Sequence, residues 1–496
     1  MDLKEIIKSL NYAETVGDIS KDISGITFNS RNVKHNYIFV AIPGFKKDGR
    51  DYIREAVKNG ATVVISNSKT EDINGITQII VKEPRLALAS VSNIFYDRPS
   101  QKLKITGITG TNGKTTTAFL VDSMLKSASF DTSLITTIRS EIKGNVVKFD
   151  RTTPESLELN NFFRDSIENG VTHTTMEISS HAIELHRIDF MNFETFVFTN
   201  LTQDHLDYHE TMDNYFNAKK KLFSKDYRDI FKCRNAVINI DDPYGRILYE
   251  QTDLKTITYS VQNRTADIYA ENIISDTSGI KMDIIFRGEK FTEISSHLSG
   301  YFNVYNILAA AGAALSLGLE RNNIKKGAES DNAICGRFEK INDIDDFTVI
   351  VDYAHTPDGL ENVLMTAKSL LKEGARLISV FGCGGDRDKG KRPKMGRIAA
   401  KISDYIFITS DNPRSEEPES IIEMIEEGIR ETENINYSKL PDRKEAILNA
   451  LKLAQKDDII VIAGKGHEDY QEFAGYRTHF SDQEIVREWN MERGRK

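Results

Sequence analysis

The chain has little cysteine. Cys233, Cys335 and Cys383 are its only three in 496 residues, far apart and without a CxxC pair. That excludes a disulfide framework and leaves buried or incidental thiols, as in a reducing compartment. Positive charge is not in excess either. Lys and Arg number 65 against 74 Asp and Glu, for a net −9, so a polyanion partner such as nucleic acid is not expected. Local basic clusters remain able to hold phosphates. No apolar run approaches the roughly 20 residues that span a bilayer. The opening MDLKEIIKSLNYAE is charged and amphipathic and lacks the apolar core of a signal peptide. Short-period repeats and low-complexity tracts are missing too. A cytoplasmic protein without membrane insertion is expected.

What is present is an ordinary apolar share of 39% on a chain long enough for two to four domains. Short β-rich runs (YIFVAI, ATVVIS, ETFVFTNL, RLISVF, DIIVIAG) alternate with longer helical segments. This predicts α/β domains with largely parallel sheets. A helix end followed by Arg98-Pro99-Ser100, and a change near Cys335-Gly336-Arg337, divide the chain at about 1–102, 103–335 and 336–496. The last third alternates strand and helix like a Rossmann-type unit.

The strongest local signal is KITGITGTNGKTTTAFLVDSML. A β-rich stretch enters a turn with glycines at 107, 110 and 113, and a helix is expected from about Lys114. The glycines let backbone approach an anion, and loop amides with the helix N-terminus supply positive potential. Lys114 would reach the β- and γ-phosphates of ATP, and the Thr115 hydroxyl would sit on Mg²⁺. Residues Gly110, Thr111, Asn112, Gly113, Lys114, Thr115 and Thr116 form the expected ATP loop. The spacing is shorter than the usual phosphate loop, which would need glycine where this chain has Ile108.

Two further segments of the middle third are dense in polar groups. In THTTMEISSHAIELHR, Glu177 follows a short strand-like run, which puts a carboxylate at a strand end beside the phosphate loop. In FVFTNLTQDHLDYHETMDNYFNAKKKLF, Asp204, His205, Asp207 and His209 precede a helix with Tyr215 and Lys219. Asp-His-x-Asp-x-His suits a transition-metal site; helix capping by Asp204 with solvated histidines is the alternative. A Lys-Lys-Lys run is ordinarily a solvated face.

GTNGKTTT, MEISSHA, NLTQDHLDYH followed by YxxAK, and DYAHTPDGL together resemble the Mur ligase family, in order and nearly end to end. The resemblance implies three domains: an N-terminal UDP-binding domain, a central ATPase with the phosphate loop, and a C-terminal Rossmann-like domain that binds an amino acid. It implies ATP-dependent amide-bond formation on a UDP-linked muramoyl dipeptide, with ATP as co-substrate and two Mg²⁺ ions. It assigns Lys219 a carbamate, formed with CO₂, that joins Glu177 and His205 around the second metal, with Thr115 on the first. Lys220 and Lys221 stay surface charges.

The same resemblance places Ser30 of NSR on the UDP group, although the family's usual DSR is here Asn29-Ser-Arg. Thr152, Thr153, Ser179 and Arg187 match positions around the muramoyl dipeptide, with a structural ion pair as the other explanation of Arg187. Asn303 and Asn306 match positions near adenine, or are cap and helix-surface residues. Arg337, Asp352, Tyr353 and His355 match positions that reach the nucleotide from the third domain. Asp411, Asn412, Pro413 and Arg414 form the DNPR of members that add meso-diaminopimelate, with Arg387, Gly464 and Glu468 completing the amino-acid site. meso-Diaminopimelate is lysine with one more carboxylate, and Arg414 offers that carboxylate a planar two-pronged donor. L-lysine or meso-lanthionine, another wall-precursor residue, folate glutamylation, and a nucleotide-gated binding protein without activity are the alternatives. Oligomeric state is not legible in the sequence.

Overall fold

The apolar runs become the inner strands of three separate sheets. The computed structural model describes every residue except 11, 45–46, 72, 277–278, 331–333, 342–343, 345, 434–435 and 495–496. Phe45 and Lys46 of the first-third stretch PGFKKDGR thus lie outside the described residues.

The first sheet has the order Tyr12–Val16, Thr77–Val81, Ala61–Ser66, Tyr37–Val40, Gly25–Thr27, parallel except for its first strand. Its core of Ile38, Val40, Val63, Ile65 and Ile79 is covered by the helix Pro84–Phe95 through Leu88 and Val91. Glu83 accepts a hydrogen bond from the Arg85 amide at the start of that helix, and Pro84 occupies its first turn, where a missing N–H costs nothing.

The second sheet has eleven strands. Six of them run parallel in the order Lys255–Ser260, Asn235–Asn239, Thr195–Phe198, Lys104–Thr109, His173–Glu177, Thr132–Ile135. The chain leaves Lys104–Thr109, crosses to Thr132–Ile135, returns to His173–Glu177 and then passes to Thr195–Phe198 on the other side. Lys104–Thr109 therefore sits at a switch point, where parallel sheets open a crevice at their C-terminal ends. Ile268–Asp276 joins Lys255–Ser260 in parallel, and Gly279–Phe286 and Glu289–Ser296 follow it antiparallel, extending one edge as a meander. That extension departs from the expectation of largely parallel sheets. Its burial alternates along Ile268–Asp276, as in a strand with one solvated face.

The third sheet runs Glu339–Ile341, Thr348–Asp352, Ile459–Ala463, Leu377–Phe381, Tyr405–Ile408, Tyr437–Lys439, parallel after the first strand. Helices on both faces complete a doubly wound unit. The whole is a three-domain α/β architecture. Among the described residues no helix is long and apolar enough to cross a membrane.

Candidate active site

The phosphate loop lies between the strand Lys104–Thr109 and the helix Lys114–Ser127. Gly113 has φ +84°, and a Cβ there would stand 2.3 Å from Asn306 Oδ1. Only glycine fits both the backbone and the neighbour. Asn200 receives the Asn112 amide at 2.9 Å, and Thr199 donates to the Asn112 carbonyl at 2.7 Å. The Lys114 amine folds back onto the carbonyls of Gly110 and Thr111 at 3.0 and 2.7 Å, and burial pushes its pKa down. Thr111 meets the Tyr215 hydroxyl at 3.2 Å, and Thr116 is buried in the first helical turn.

Glu177 ends its strand beside this loop. It accepts from the Thr115 hydroxyl at 2.8 Å and from Thr137 through both amide and hydroxyl, at 2.9 and 3.2 Å. Thr115 Oγ1 and the Glu177 carboxylate thus present converging oxygen donors, the type a hard divalent cation takes.

Lys219 is not a solvated residue. It is 1% exposed and donates to Thr109 Oγ1 at 3.3 Å and the Gly110 carbonyl at 3.0 Å, with its amine 4.8 Å from the Tyr215 ring centre. Among the described residues no carboxylate stands within ion-pair distance of it. Burial first, then the charge of Lys114, hold its pKa well below the lysine range. Lys220 and Lys221 are half-buried, and Lys221 pairs with Glu184 at 2.7 Å.

Asp204 is not a helix cap. The following short helix, Leu206–His209, is preceded by His205 at φ +55°, and the Asp204 carboxylate accepts the His205 amide. Around that buried carboxylate stand His205 at 3.3 Å, His355 at 3.7 Å and Lys391 at 3.7 Å. Burial opposes its charge, but these neighbours outweigh burial and keep the carboxyl well below its usual range. Burial drives His205 down to about 3 against the opposing pull of Asp204. His181 meets His205 and His209 edge-on, with ring centres 5.0 and 5.6 Å away. His209 is tied to Ser180 at 2.8 Å, and Asp207 is exposed on the short helix. Among the described residues no group of His, Cys, Asp and Glu is set as a ready metal cage.

Asn303 and Asn306 are neither caps nor surface residues. Both are buried inside the helix Phe302–Ser316, where Asn306 donates to Asn303 and Asn303 to the Ser299 carbonyl. From the third domain, Arg337 donates to Thr115 Oγ1 at 2.9 Å and lies over the Tyr353 ring. Asp352 accepts the Phe338 and Ala354 amides, and His355 Nδ1 meets the Tyr353 carbonyl at 2.8 Å.

The segment Asp411–Arg414 faces the loop after the strand Ile459–Ala463. Asn412 donates to Glu468 at 2.8 Å, and Gly464, at φ +116°, lets the Asp411 carboxylate approach its backbone. The Pro413 carbonyl packs on Gly385 so closely that a Cβ there would meet it at 1.9 Å. Arg414 uses Nε on Glu472 at 3.1 Å and Nη1 on the Gly385 carbonyl at 2.7 Å. Arg387 is exposed beside it.

Family models match three consecutive parts of the chain: "Mur ligase family, catalytic domain" over residues 22–106, "Mur ligase middle domain" over 108–314, and "Mur ligase, glutamate ligase domain" over 336–466. A UDP-N-acetylmuramoyl-L-alanyl-D-glutamate--2,6-diaminopimelate ligase of Clostridium tetani is 44% identical over 493 residues, 98% of this chain and 99% of that one. The chain belongs to the Mur ligase family. A similarly named protein of Caldanaerobacter subterraneus is 43% identical over 98% of both chains. A solved structure of a ligase with the same name superposes with a TM-score of 0.68 at 32% identity, covering 100% of this chain and 99% of that one. MurF from Thermotoga maritima, solved with ADP, shares the fold at a TM-score of 0.63 and 17% identity, over 88% and 93% of the two chains.

In this Mur ligase Thr152, Thr153, Ser179 and Arg187, expected around the muramoyl dipeptide, gather at the end of the strand His173–Glu177. Thr153 donates to the Glu177 carbonyl at 2.9 Å and receives the Ser179 amide, Thr152 accepts from Thr137, and Ser179 caps the helix Ser180–Glu184. Arg187 donates to the Thr153 carbonyl at 3.0 Å and pairs with Glu155 at 3.2 Å, so the ion pair named as its alternative is present. Ser30 lies apart, in the first domain, bonded to Glu55 at 2.7 Å, while Asn29 caps the Ser30–Asn32 turn. Sequence reasoning passed over Thr137, Asn200, Asp358, Lys391, Arg443 and Lys465. Of these, Asn200 and Asp358 had a visible signal, lying inside the quoted NLTQDHLDYH and DYAHTPDGL.

Proposed function

We propose that this Mur ligase joins meso-diaminopimelate to UDP-N-acetylmuramoyl-L-alanyl-D-glutamate with ATP, through an acyl phosphate, in peptidoglycan precursor synthesis. Residues 1–102 take the UDP end, with Ser30 on it, 103–335 the ATP and dipeptide, and 336–496 the amino acid. The observation that carries the reading is full-length identity of 42–44% to relatives named as diaminopimelate ligases, together with DNPR in this chain.

Lys114 and the loop amides hold the phosphates, releasing the carbonyls that Lys114 now caps. Asn303 and Asn306 lie on the adenine side, and Arg337, Asp352, Tyr353 and His355 close over the nucleotide. The γ-phosphoryl group passes to the D-glutamyl carboxylate, held by Thr152, Thr153, Ser179 and Arg187; the amine of the amino acid then displaces phosphate. Thr115 and Glu177 would hold one Mg²⁺; Glu177, His205 and a carbamate on Lys219 would hold a second. Bound there, the cations supply neutralisation of phosphoryl charge. The buried Lys219 amine, its pKa lowered by burial, suits carbamate formation, which needs an unprotonated nitrogen and places anionic oxygens where, among the described residues, no carboxylate pairs with it.

In the amino-acid pocket, Glu468 suits the distal ammonium and Arg414 the distal carboxylate, joined by Arg387, Asp411, Asn412, Pro413 and Gly464. Binding would exchange the Arg414–Glu472 contact for the substrate carboxylate. Lysine would leave the guanidinium without that partner, a basis for rejection. Turnover with meso-diaminopimelate, meso-lanthionine and L-lysine tests this. The expected result is a kcat/KM for meso-diaminopimelate at least about 10²-fold above lysine, narrowed in Arg414→Ala. Equal use of lysine by the unaltered enzyme contradicts it.

A further inference from the structure

The two loops assigned to the amino acid hang on an ion pair that no step above uses. Arg443, first residue of the helix Arg443–Leu453, and Asp482, first residue of Asp482–Gly494, have fully enclosed side chains. Their fork is two-pronged, Nε to Oδ1 at 2.8 Å and Nη2 to Oδ2 at 2.7 Å. The same guanidinium donates from Nη2 to the Ala463 carbonyl at 3.0 Å and from Nη1 to the Ser410 carbonyl at 3.4 Å. Ala463 immediately precedes Gly464, and Ser410 immediately precedes Asp411. One side chain thus ties the roots of both loops. Burial opposes its charge, but Asp482, with the fields of Asp411 and Glu468, outweighs burial.

Stability alone is a weak reason for such a pair, since apolar residues of similar size usually serve as well or better. Its geometry has a more specific consequence, because it fixes the spacing between the strand ends that carry DNPR and AGKGHE. A second tie joins the loops further out. The Lys465 amine, fully buried, donates to Asn412 Oδ1 and Glu468 Oε2, both at 3.1 Å. That bond leaves the Asn412 amide nitrogen toward Glu468. A planar fork can serve a carboxylate and two carbonyls at once, which an ammonium cannot do with the same geometry.

We propose that Arg443, locked by Asp482, is a positioning residue for amino-acid recognition, setting affinity for the incoming amino acid without touching it. This rests on the assignment of that pocket to the amino acid. The test is steady-state kinetics on the full chain with R443M/D482L, which removes both charges and orphans neither, and with R443K. For the double variant the KM for meso-diaminopimelate should rise about tenfold or more, with KM for ATP and the UDP-dipeptide within about twofold and a near-native melting temperature. R443K should raise it by about threefold. A folded double variant with native KM overturns the proposal, as does a parallel rise in all three KM values, which marks general loosening. If the double variant does not fold, a native KM in R443K overturns it. Should the unaltered enzyme ignore meso-diaminopimelate, the pocket's ligand is wrong, and the same variants are read with whichever amino acid it accepts.

Discussion

Lys219 shows how far one side chain is governed by its surroundings. As the first lysine of a KKK run it has the sequence appearance of a surface residue, yet it is sealed beneath the phosphate loop against Tyr215. Burial lowers the proton affinity of its amine, which favours the carbamate proposed for it. Lys219→Met should lower kcat by about 10²-fold or more while the melting temperature holds, since an apolar chain of similar length fills the same enclosed space. A kcat within threefold of the parent would remove Lys219 from the chemistry. A second residue prediction concerns pH. Glu416 binds the buried Arg392 guanidinium through both oxygens, and that bond first of all holds its carboxyl at about 2, against 4.5 when free. Its folded value lies below its unfolded one, so its contribution is complete above pH 4.5 and is lost as pH falls toward 2. In acid titrations followed by circular dichroism, Glu416→Gln should be less stable than the parent near neutrality and should converge with it below that window.

At the scale of elements, strand ends and the loops that follow them carry the chemistry. Gly113 opens its helix in a backbone conformation that L side chains rarely adopt, with Asn306 pressed against it. Gly113→Ala should therefore raise KM for ATP by about tenfold or more, checked by initial rates at fixed concentrations of the other substrates. An unchanged KM would mean the loop bends away without consequence. The apolar runs ATVVIS, RLISVF and DIIVIAG were legible as strands because fully buried parallel strands read as continuous β-branched stretches. The helix after Lys114 was legible from its glycines. The antiparallel meander over 268–296 was not, because its alternation is diluted by charged residues on the solvated face. Nor were the burials of Asn303 and Asn306, since position in a helix does not tell which face packs against the phosphate loop. Arg443 was invisible for a related reason. Its partners are backbone carbonyls and an aspartate 39 residues away, brought together only by the closed sheet.

At the scale of the whole molecule, the three domains meet at the site through a few polar contacts. Arg85 of the first domain and Arg187 of the second share Glu155. Arg337 and Asp358 of the third reach Thr115 and Asn112 of the phosphate loop, the latter at 2.6 Å, and Asp388 receives Gln203 at 2.9 Å. Beside them Leu157 and Phe302 of the central domain pack on the cores of the first and third; domains joined this way can move relative to one another, and closure excludes water from a reactive intermediate. Asp358→Ala should weaken the hold of the third domain on the loop. X-ray scattering with a non-hydrolysable ATP analogue should then show a larger radius of gyration than the parent, and KM for ATP should rise by about threefold or more. Identical scattering and kinetics would show that this contact does not govern closure.

The account rests on capture of the nucleotide's energy as a mixed anhydride before the amine arrives. Its most direct test uses UDP-muramoyl dipeptide labelled with ¹⁸O in the D-glutamyl γ-carboxylate, with mass spectrometry of the phosphate released in turnover. The prediction is one oxygen transferred from carboxylate to phosphate for each amide bond formed; amide formation with unlabelled phosphate would contradict it.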